Sequence, residues 1–157
     1  MKFSAQEEYG LRCLIQIARL PKDGSMTIPE ISRIEGLTQP HVAKLMMILR
    51  KEGFITSTRG QSGGYTLARS PEQVVLGDVL TALGGKLYDS EFCGKHTGNH
   101  SICTHAIDCT VRSLWQVVQT AVDNVVYKIT LADLMRQAEP VSNVQFFDEP
   151  QRLKTLV

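Results

Sequence analysis

Two short helices joined by a tight turn, with a glycine-rich hairpin directly after them, constrain the fold of this chain more than any other feature. Residues 27–30 (Thr-Ile-Pro-Glu) form a capping-box pattern with proline in the first turn, and they predict a helix that ends at Glu35 before Gly36. Residues 38–41 (Thr-Gln-Pro-His) begin a second helix, which ends at Gly53. This pair predicts a helix-turn-helix. The apolar residues of the second helix follow the spacing of one helix face and are Val42, Leu45, Met46 and Leu49.

The sequence changes from helical to strand character after the second helix. Residues 54–58 and 65–68 are rich in aromatic and β-branched side chains, and the glycine-rich residues 59–64 lie between them, which predicts a β-hairpin. A phosphate-binding loop would place Gly-Lys-Ser or Gly-Lys-Thr at the start of a helix, whereas these glycines lead into a strand. A helix-turn-helix followed by a hairpin predicts a winged-helix domain.

The N-terminal part of the chain contains two further predicted helices, and a polar stretch follows the second of them. A capping box formed by Ser4 and Glu7 begins a first helix that ends near Leu20, and residues 76–83 predict another short helix. Residues 86–105 have neither helical nor strand periodicity. We therefore expect a polar loop between the N-terminal helices and the C-terminal part of the chain.

A long helix begins at Ile107 and carries an apolar stripe too extensive for the surface of a monomer. The stripe predicts a partner helix in a homodimer, and the alternative is packing on the N-terminal domain alone. Residues 130–133 predict the start of a short final helix, whereas residues 139–157 show no period. The stripe is formed by Val111, Leu114, Trp115, Val118, Val122, Val125, Val126 and Ile129.

These elements predict a mainly α fold with a small β-hairpin, a winged helix-turn-helix domain followed by a long C-terminal dimerisation helix. The predicted parts are a DNA-binding domain (1–85), a cysteine-bearing loop (86–106), a dimerisation helix with a short final helix (107–138) and a tail (139–157). The sequence has no uninterrupted run of 18 apolar residues and no apolar leader, so we expect a cytoplasmic protein with few disulfides.

The net charge of +1 conceals an asymmetry along the chain. Residues 1–69 contain ten Lys and Arg against six Asp and Glu, whereas residues 70–157 contain seven against ten. The basic part coincides with the predicted winged helix, which is where a polyanion would bind. A charge of this size is a weak signal by itself.

In a winged helix-turn-helix the second helix of the pair enters the major groove and the hairpin contacts the neighbouring backbone or minor groove. The N-terminal end of the second helix and the hairpin loop are therefore the predicted contacts with double-stranded operator DNA. The alternative roles are a structural His41 in the capping turn, a solvated Lys44, and an ion pair between Arg59 and Glu52. The predicted DNA-binding residues are Thr38, Gln39, Pro40, His41, Lys44, Arg59, Gly60, Gln61, Ser62 and Gly63.

Three of the four cysteines, Cys93, Cys103 and Cys109, fall within a span of 17 residues, on the polar stretch that leads into the long helix. Clustered thiolates in a reducing compartment favour an iron-sulfur cluster or zinc, and the spacing does not distinguish the two. Thiol-disulfide catalysis is disfavoured because a Cys-x-x-Cys motif is missing, and no paired carboxylates or general base suggest an enzyme. The remaining Cys13, on the apolar face of the first helix, is expected to be a small core residue.

These features together resemble the IscR/NsrR superfamily of bacterial winged-helix regulators over residues 1 to about 137. The likeness rests on residues 1–4 and 9–12, on Ile-Pro-Glu-Ile at 28–31, on residues 40–45, on Gly-Gln-Ser-Gly-Gly-Tyr at 60–65, on the three cysteines and on Leu-Ala-Asp-Leu at 131–134. The resemblance implies a homodimeric transcription regulator that senses redox state, nitric oxide or iron-sulfur status. It also implies that Cys93, Cys103 and Cys109 hold the cluster.

Two positions depart from the IscR pattern. The gap between the first two cysteines is wider than the five residues of IscR and NsrR, and Arg112 stands where IscR-like proteins have a histidine ligand. NsrR-like and RsrR-like relatives use an acidic residue donated across the dimer, and Glu8 occupies the matching position. The resemblance therefore implies Glu8 as fourth ligand, with a mild preference for [2Fe-2S] over [4Fe-4S]. The alternatives are an ion pair of Glu8 with Arg12, or a ligand from His96, His100 or His105.

Overall fold

The computed structural model describes residues 4–58, 60, 63–89, 91–97, 99, 103 and 109–136. These residues form a mainly helical fold with one antiparallel hairpin, which confirms the predicted class. A short 3-10 helix, Pro71–Gln73, precedes α4. The elements are α1 (Ala5–Ala18), α2 (Ile28–Glu35), α3 (Gln39–Lys51), β1 (Ile55–Thr58), β2 (Gly64–Leu67), α4 (Leu76–Gly84), α5 (Phe92–Lys95), α6 (Thr110–Val126) and α7 (Leu131–Arg136).

Local capping determines where the first two helices begin. The Ser4 hydroxyl accepts a bond from the backbone N–H of Glu7, and the Glu7 carboxylate accepts one from the backbone N–H of Ser4 over 2.7 Å. The Glu30 carboxylate likewise accepts from the backbone N–H of Thr27 over 2.7 Å. Helix α1 ends at Ala18, two residues before the predicted Leu20, and the N–H of the C-cap residue Arg19 bonds to the Ile15 carbonyl. Pro21 disfavours helical conformation at Leu20.

The turn between α2 and α3 depends on Gly36. This glycine lies in the left-handed region with φ of 67°, a conformation that costs glycine little, and the backbone N–H of Leu37 donates to the Ser32 carbonyl. The chain is thereby redirected into α3 within three residues. The sequence predicts that α2 ends before Gly36, and the structure confirms this end point.

The hydrophobic core lies within the N-terminal part of the chain and includes α7. The backbone N–H of Leu131 donates to the Val74 carbonyl over 2.8 Å, and the N–H of Leu76 donates to the Ile129 carbonyl over 2.9 Å, so the chain after α6 returns to α4. The predicted division into parts stays a prediction. The fully buried large side chains are Leu14, Ile31, Val42, Leu45, Met46, Leu49, Ile55, Val74, Val79 and Leu131.

The hairpin is attached to the body by a third backbone segment. Strands β1 and β2 pair with Ile55 opposite Leu67, and Met26 forms an antiparallel bridge to Tyr65 with bonds of 3.0 and 2.8 Å. The segment that precedes α2 therefore fixes the inner edge of the wing.

The polar stretch predicted as a loop contains the short helix α5. The long helix α6 begins at Thr110, and the predicted residues 107 and 108 lie outside the described part of the chain. Helix α6 has no buried residue. No helix in the described ranges is long and apolar enough to cross a membrane.

Candidate DNA-binding surface and cysteine site

The outward face of α3 is basic and exposed. Val42, Leu45, Met46 and Leu49 of α3 are buried in the core, and the opposite face carries residues spaced at i, i+4, i+7 and i+11. The sequence of α3 contains no Asp or Glu. A helix face with this charge and no acidic side chain suits the phosphate-lined major groove. The exposed residues of this face are Pro40, Lys44, Met47 and Lys51.

Of the contacts predicted at the N-terminal end of α3, Thr38 and Gln39 are exposed whereas His41 is half-buried. Thr38 is the N-cap residue of α3 and Gln39 is exposed, so both lie where a helix N-terminus offers N–H groups to a phosphate. His41 is half-buried, with its ring edge-on to Tyr9 at a centroid distance of 5.5 Å. The structure therefore places His41 against α1, at the side of the outward face.

The wing continues this surface from the end of α3. Arg50 donates from Nη1 to the Ser57 hydroxyl over 3.4 Å, and Thr56, Ser57 and Thr58 are exposed on β1. Gly60 has φ of 117°, and the Gly63 N–H donates to the Gly60 carbonyl over 2.9 Å, which closes the turn. The predicted contacts Arg59, Gln61 and Ser62 lie outside the described residues.

Sequence reasoning missed three exposed residues of α3, namely Met47, Arg50 and Lys51. All three lie off the apolar stripe, so helical periodicity alone is sufficient to find them. Emphasis on the helix N-terminus, where groove contacts are commonest, left them out.

Glu8, the predicted fourth ligand, is exposed on α1. The alternative ion pair with Arg12 does not form, because Arg12 donates from Nε to a Glu35 carboxylate oxygen over 2.6 Å. Gln16 donates to the other Glu35 oxygen over 2.7 Å. Glu8 forms no ion pair within the described ranges, so its carboxylate is available to a ligand.

Two of the three clustered thiols share a cation. Cys93, in α5, has its Sγ 3.6 Å from the Tyr88 hydroxyl, and Cys109 caps α6 by accepting from the Arg112 backbone N–H over 3.3 Å. The Tyr88 hydroxyl and the Arg112 guanidinium hold the pKa of the Cys93 thiol below its usual value. A hydrogen bond and electrostatic attraction from Cys93, and to a smaller extent the charge of Cys109, raise the pKa of the Arg112 guanidinium. Cys93 is thus held in a setting that favours the thiolate, the form in which cysteine binds metal.

The other predicted ligands are not gathered with this pair. Within the described residues no three His, Cys, Asp or Glu side chains come together as a metal centre would require. Cys103 is half-buried, and His96 is exposed, stacked on Phe92 at 4.1 Å. His100 and His105 lie outside the described residues. The donor chemistry fits a soft metal at Cys93 and Cys109, and the remaining ligands would have to approach this pair.

Cys13 has the structural role that its position predicts. It is fully buried in the core, and burial raises the pKa of its thiol to about 12. A thiol that is neutral throughout the physiological range is a poor metal ligand.

Helix α6 leaves an apolar surface open. Side chains in its first half are exposed, and Trp115 retains 47% of its accessible surface. A groove of about 580 Å³ separates the second half of α6 from α4, with Leu80, Val118 and Val122 among its lining residues. The exposed apolar residues are Val111, Leu114, Trp115 and Val117.

A helix-turn-helix with a basic outward face and a hairpin wing defines a winged-helix DNA-binding protein. Residues 3–137 match the Rrf2 family, described as an iron-dependent transcriptional regulator, and the chain belongs to this family. It is therefore a DNA-binding transcriptional regulator.

Individual relatives support the same assignment. The chain is 34% identical over 138 residues to protein rrf2 of Nitratidesulfovibrio vulgaris, covering 88% of this chain and 89% of the relative. Its fold is similar to that of T. potens IscR, with a TM-score of 0.69, 29% identity and coverage of 88% and 89%. It is also similar to CymR, the global cysteine regulator of B. subtilis, with a TM-score of 0.66, 26% identity and coverage of 88% and 99%.

Proposed function

We propose that this chain is a homodimeric, cytoplasmic regulator without enzymatic activity, whose DNA binding responds to an iron-sulfur cluster held by Cys93, Cys103 and Cys109 of one subunit and Glu8 of the other. The single observation that carries the proposal is that Cys93 and Cys109 both lie beside Arg112. The Tyr88 hydroxyl and the Arg112 guanidinium favour the anionic form of Cys93, and an anionic thiolate is what a soft metal requires. The similarity to IscR supports iron and sulfide as the metal centre.

The dimer is supported by the open apolar surface of α6. Four large apolar side chains exposed along one helix are rarely left to solvent in a monomer, and burying such a side chain is worth about 1.5–3 kcal/mol. A two-fold partner would cover this surface with the same residues of its own α6. We place the exposed Glu8 of the other subunit at the cysteine loop, because the described residues of one chain do not bring a third ligand to Cys93 and Cys109.

When bound, the cluster supplies a redox centre that also reacts with nitric oxide. The protein's own residues account for how its state would reach DNA. Cys109 caps α6, and the backbone N–H of Tyr88 donates to Gln119 of α6, so the cysteine segment is attached to the helix that joins the subunits. Two recognition helices must lie about 34 Å apart to read successive turns of DNA, so a small shift between subunits alters both contacts together.

The experiment compares cysteine variants of anaerobically purified protein. Absorption spectra and native mass spectra are recorded for wild type, for Cys93→Ala, Cys103→Ala and Cys109→Ala, and for Cys13→Ala as matched control. We expect iron and sulfide in wild type and Cys13→Ala, and loss in the other three. Colourless wild type that contains zinc, or contains no metal, contradicts the proposal.

Two further variants test the rest of the proposal. Glu8→Ala is expected to alter the absorption spectrum of the cluster, and an unchanged spectrum removes Glu8 from the site. Trp115→Glu is expected to give a monomer in sedimentation velocity, whereas Gln116→Glu, at an exposed polar position on the same helix, leaves the dimer intact. Equal affinity of cluster-loaded and cluster-free protein for the same DNA would contradict sensing.

A further inference from the structure

Met47 occupies the centre of the outward face of α3. It retains 60% of its accessible surface, more than any other large apolar residue of α1 to α4 in the described part of the chain. Lys44 lies three residues before it and Lys51 four residues after it, both exposed, so the three share one face. A long apolar side chain is thus placed between two cations.

The position of Met47 has no explanation within the folded subunit. The opposite face of α3 contributes its side chains to the hydrophobic core. Met47 belongs neither to that core nor to the partly buried apolar residues that pack against the core. A lysine at this position would strengthen the basic surface, since phosphates are its general target. An apolar residue there indicates contact with an apolar group of the DNA.

The major groove offers one prominent apolar group, the C5-methyl of thymine. Helix α3 rises about 1.5 Å per residue, so Met47 lies roughly 12 Å along the axis from Gln39. That distance corresponds to about three or four base-pair steps of roughly 3.4 Å. Gln39 and Met47 therefore face different base pairs, and flanking lysines that reach phosphates would hold the methionine over the groove floor.

We propose that Met47 is a specificity-determining residue that packs on the C5-methyl group of a thymine in each operator half-site, with Lys44 and Lys51 bound to the phosphates on either side. This inference rests on the DNA-binding function but does not depend on the metal centre. A long flexible side chain is suited to this contact because methionine adapts its shape to the surface that it meets.

The test removes single methyl groups from DNA. Duplexes are selected from a random library with the full-length, anaerobically purified protein, and each thymine of the selected site is replaced in turn by deoxyuridine, which lacks only the methyl. Affinity is measured by fluorescence anisotropy for wild type, Met47→Ala and Met47→Leu. Ile34→Ala, which shortens an exposed apolar residue of α2, is the matched control.

In wild type we expect one thymine of each half-site to be methyl-sensitive, and a single deoxyuridine at that position should weaken binding about fourfold, the factor that corresponds to ~0.8 kcal/mol for one buried methyl group. Met47→Ala should bind the thymine and deoxyuridine duplexes equally, Met47→Leu should keep part of the preference, and Ile34→Ala should keep all of it. A preference that persists in Met47→Ala, or no methyl-sensitive thymine in wild type, overturns the inference. Failure to select any sequence would instead contradict operator binding itself.

Discussion

The backbone N–H of Tyr88 donates a hydrogen bond to Oε1 of Gln119 over 2.8 Å, and this bond joins the segment before α5 to the middle of α6. The Gln119 amide is itself oriented, because its Nε2 donates to the Asp123 carboxylate over 2.7 Å. The side chain of Tyr88 contacts Cys93, whose sulfur lies 3.6 Å from the phenol oxygen. The position of one clustered thiol is therefore tied to the helix proposed to join the subunits.

This relationship predicts the effect of removing the amide. Gln119→Leu keeps the size of the side chain but deletes the acceptor for Tyr88, and a net loss of about 1 kcal/mol is typical of one hydrogen bond. We expect hydrogen exchange at the Tyr88 amide to become roughly fivefold faster, measured by mass spectrometry of metal-free protein. Gln116→Leu is the matched control on the exposed side of α6, and equal rates in both variants would contradict the bond.

The two environments of cysteine predict different reactivity in metal-free, reduced protein. The Tyr88 hydroxyl and Arg112 lower the pKa of Cys93 below 9.0, whereas burial raises the pKa of Cys13 to about 12. The thiolate is the nucleophile, so Cys93 should be alkylated by iodoacetamide at a lower pH than an ordinary thiol, and Cys13 should stay unmodified up to about pH 10.

The origin of this difference is tested by Tyr88→Phe. Deleting the hydroxyl removes the largest cause of the lowered pKa, so the midpoint of the alkylation profile of Cys93 should move upward toward 9.0. Peptide mass spectrometry after timed alkylation follows each cysteine separately. A midpoint that does not move would show that the hydroxyl does not stabilise the Cys93 thiolate.

The sequence is sufficient to predict those elements whose structure is determined by residues close together along the chain. The capping boxes at Ser4 and Thr27 and the left-handed stop at Gly36 involve residues within a few positions of one another, so their patterns can be read directly. Helix periodicity likewise identifies the buried face of α3. The winged-helix class follows from these local signals in their order along the chain.

The site depends on contacts that no local pattern contains. Helical spacing allows Arg12 to pair with Glu8 one turn away, yet Arg12 reaches Glu35, 23 residues along the chain. Cys93 and Arg112 are also far apart in sequence, and their contact depends on how α5 lies against α6. Such long-range pairs are decided by tertiary packing, which a spacing rule for helices does not describe.

The Glu35 network predicts a marked loss of stability. The Glu35 carboxylate is 4% exposed and accepts bonds from both Arg12 and Gln16, so Glu35→Ala removes two hydrogen bonds, one of them to a charged group. Because Arg12 is 44% exposed and stays partly solvated, we expect a loss of about 2 kcal/mol rather than the larger cost of a fully buried charge. Urea unfolding followed by circular dichroism measures it. Glu72→Ala, at an exposed position of the 3-10 helix, should change the free energy of unfolding by less than about 0.5 kcal/mol.

The attachment of the wing predicts that Gly64 tolerates no side chain. A Cβ atom at this position would lie 2.9 Å from backbone atoms of Met26, which belong to the bridge with Tyr65 and cannot rotate away as a side chain would. Gly64→Ala must therefore separate β2 from Met26, and we expect a loss of about 1–3 kcal/mol together with weaker DNA binding. Gly94→Ala is the control, because a Cβ there meets nothing within 4 Å. If Gly64→Ala unfolds at the same urea concentration as wild type and exchanges the Tyr65 amide no faster, the bridge between Met26 and the hairpin does not fix the wing, and the wing's contact with DNA would have to be organised by Arg50 and Ser57 alone.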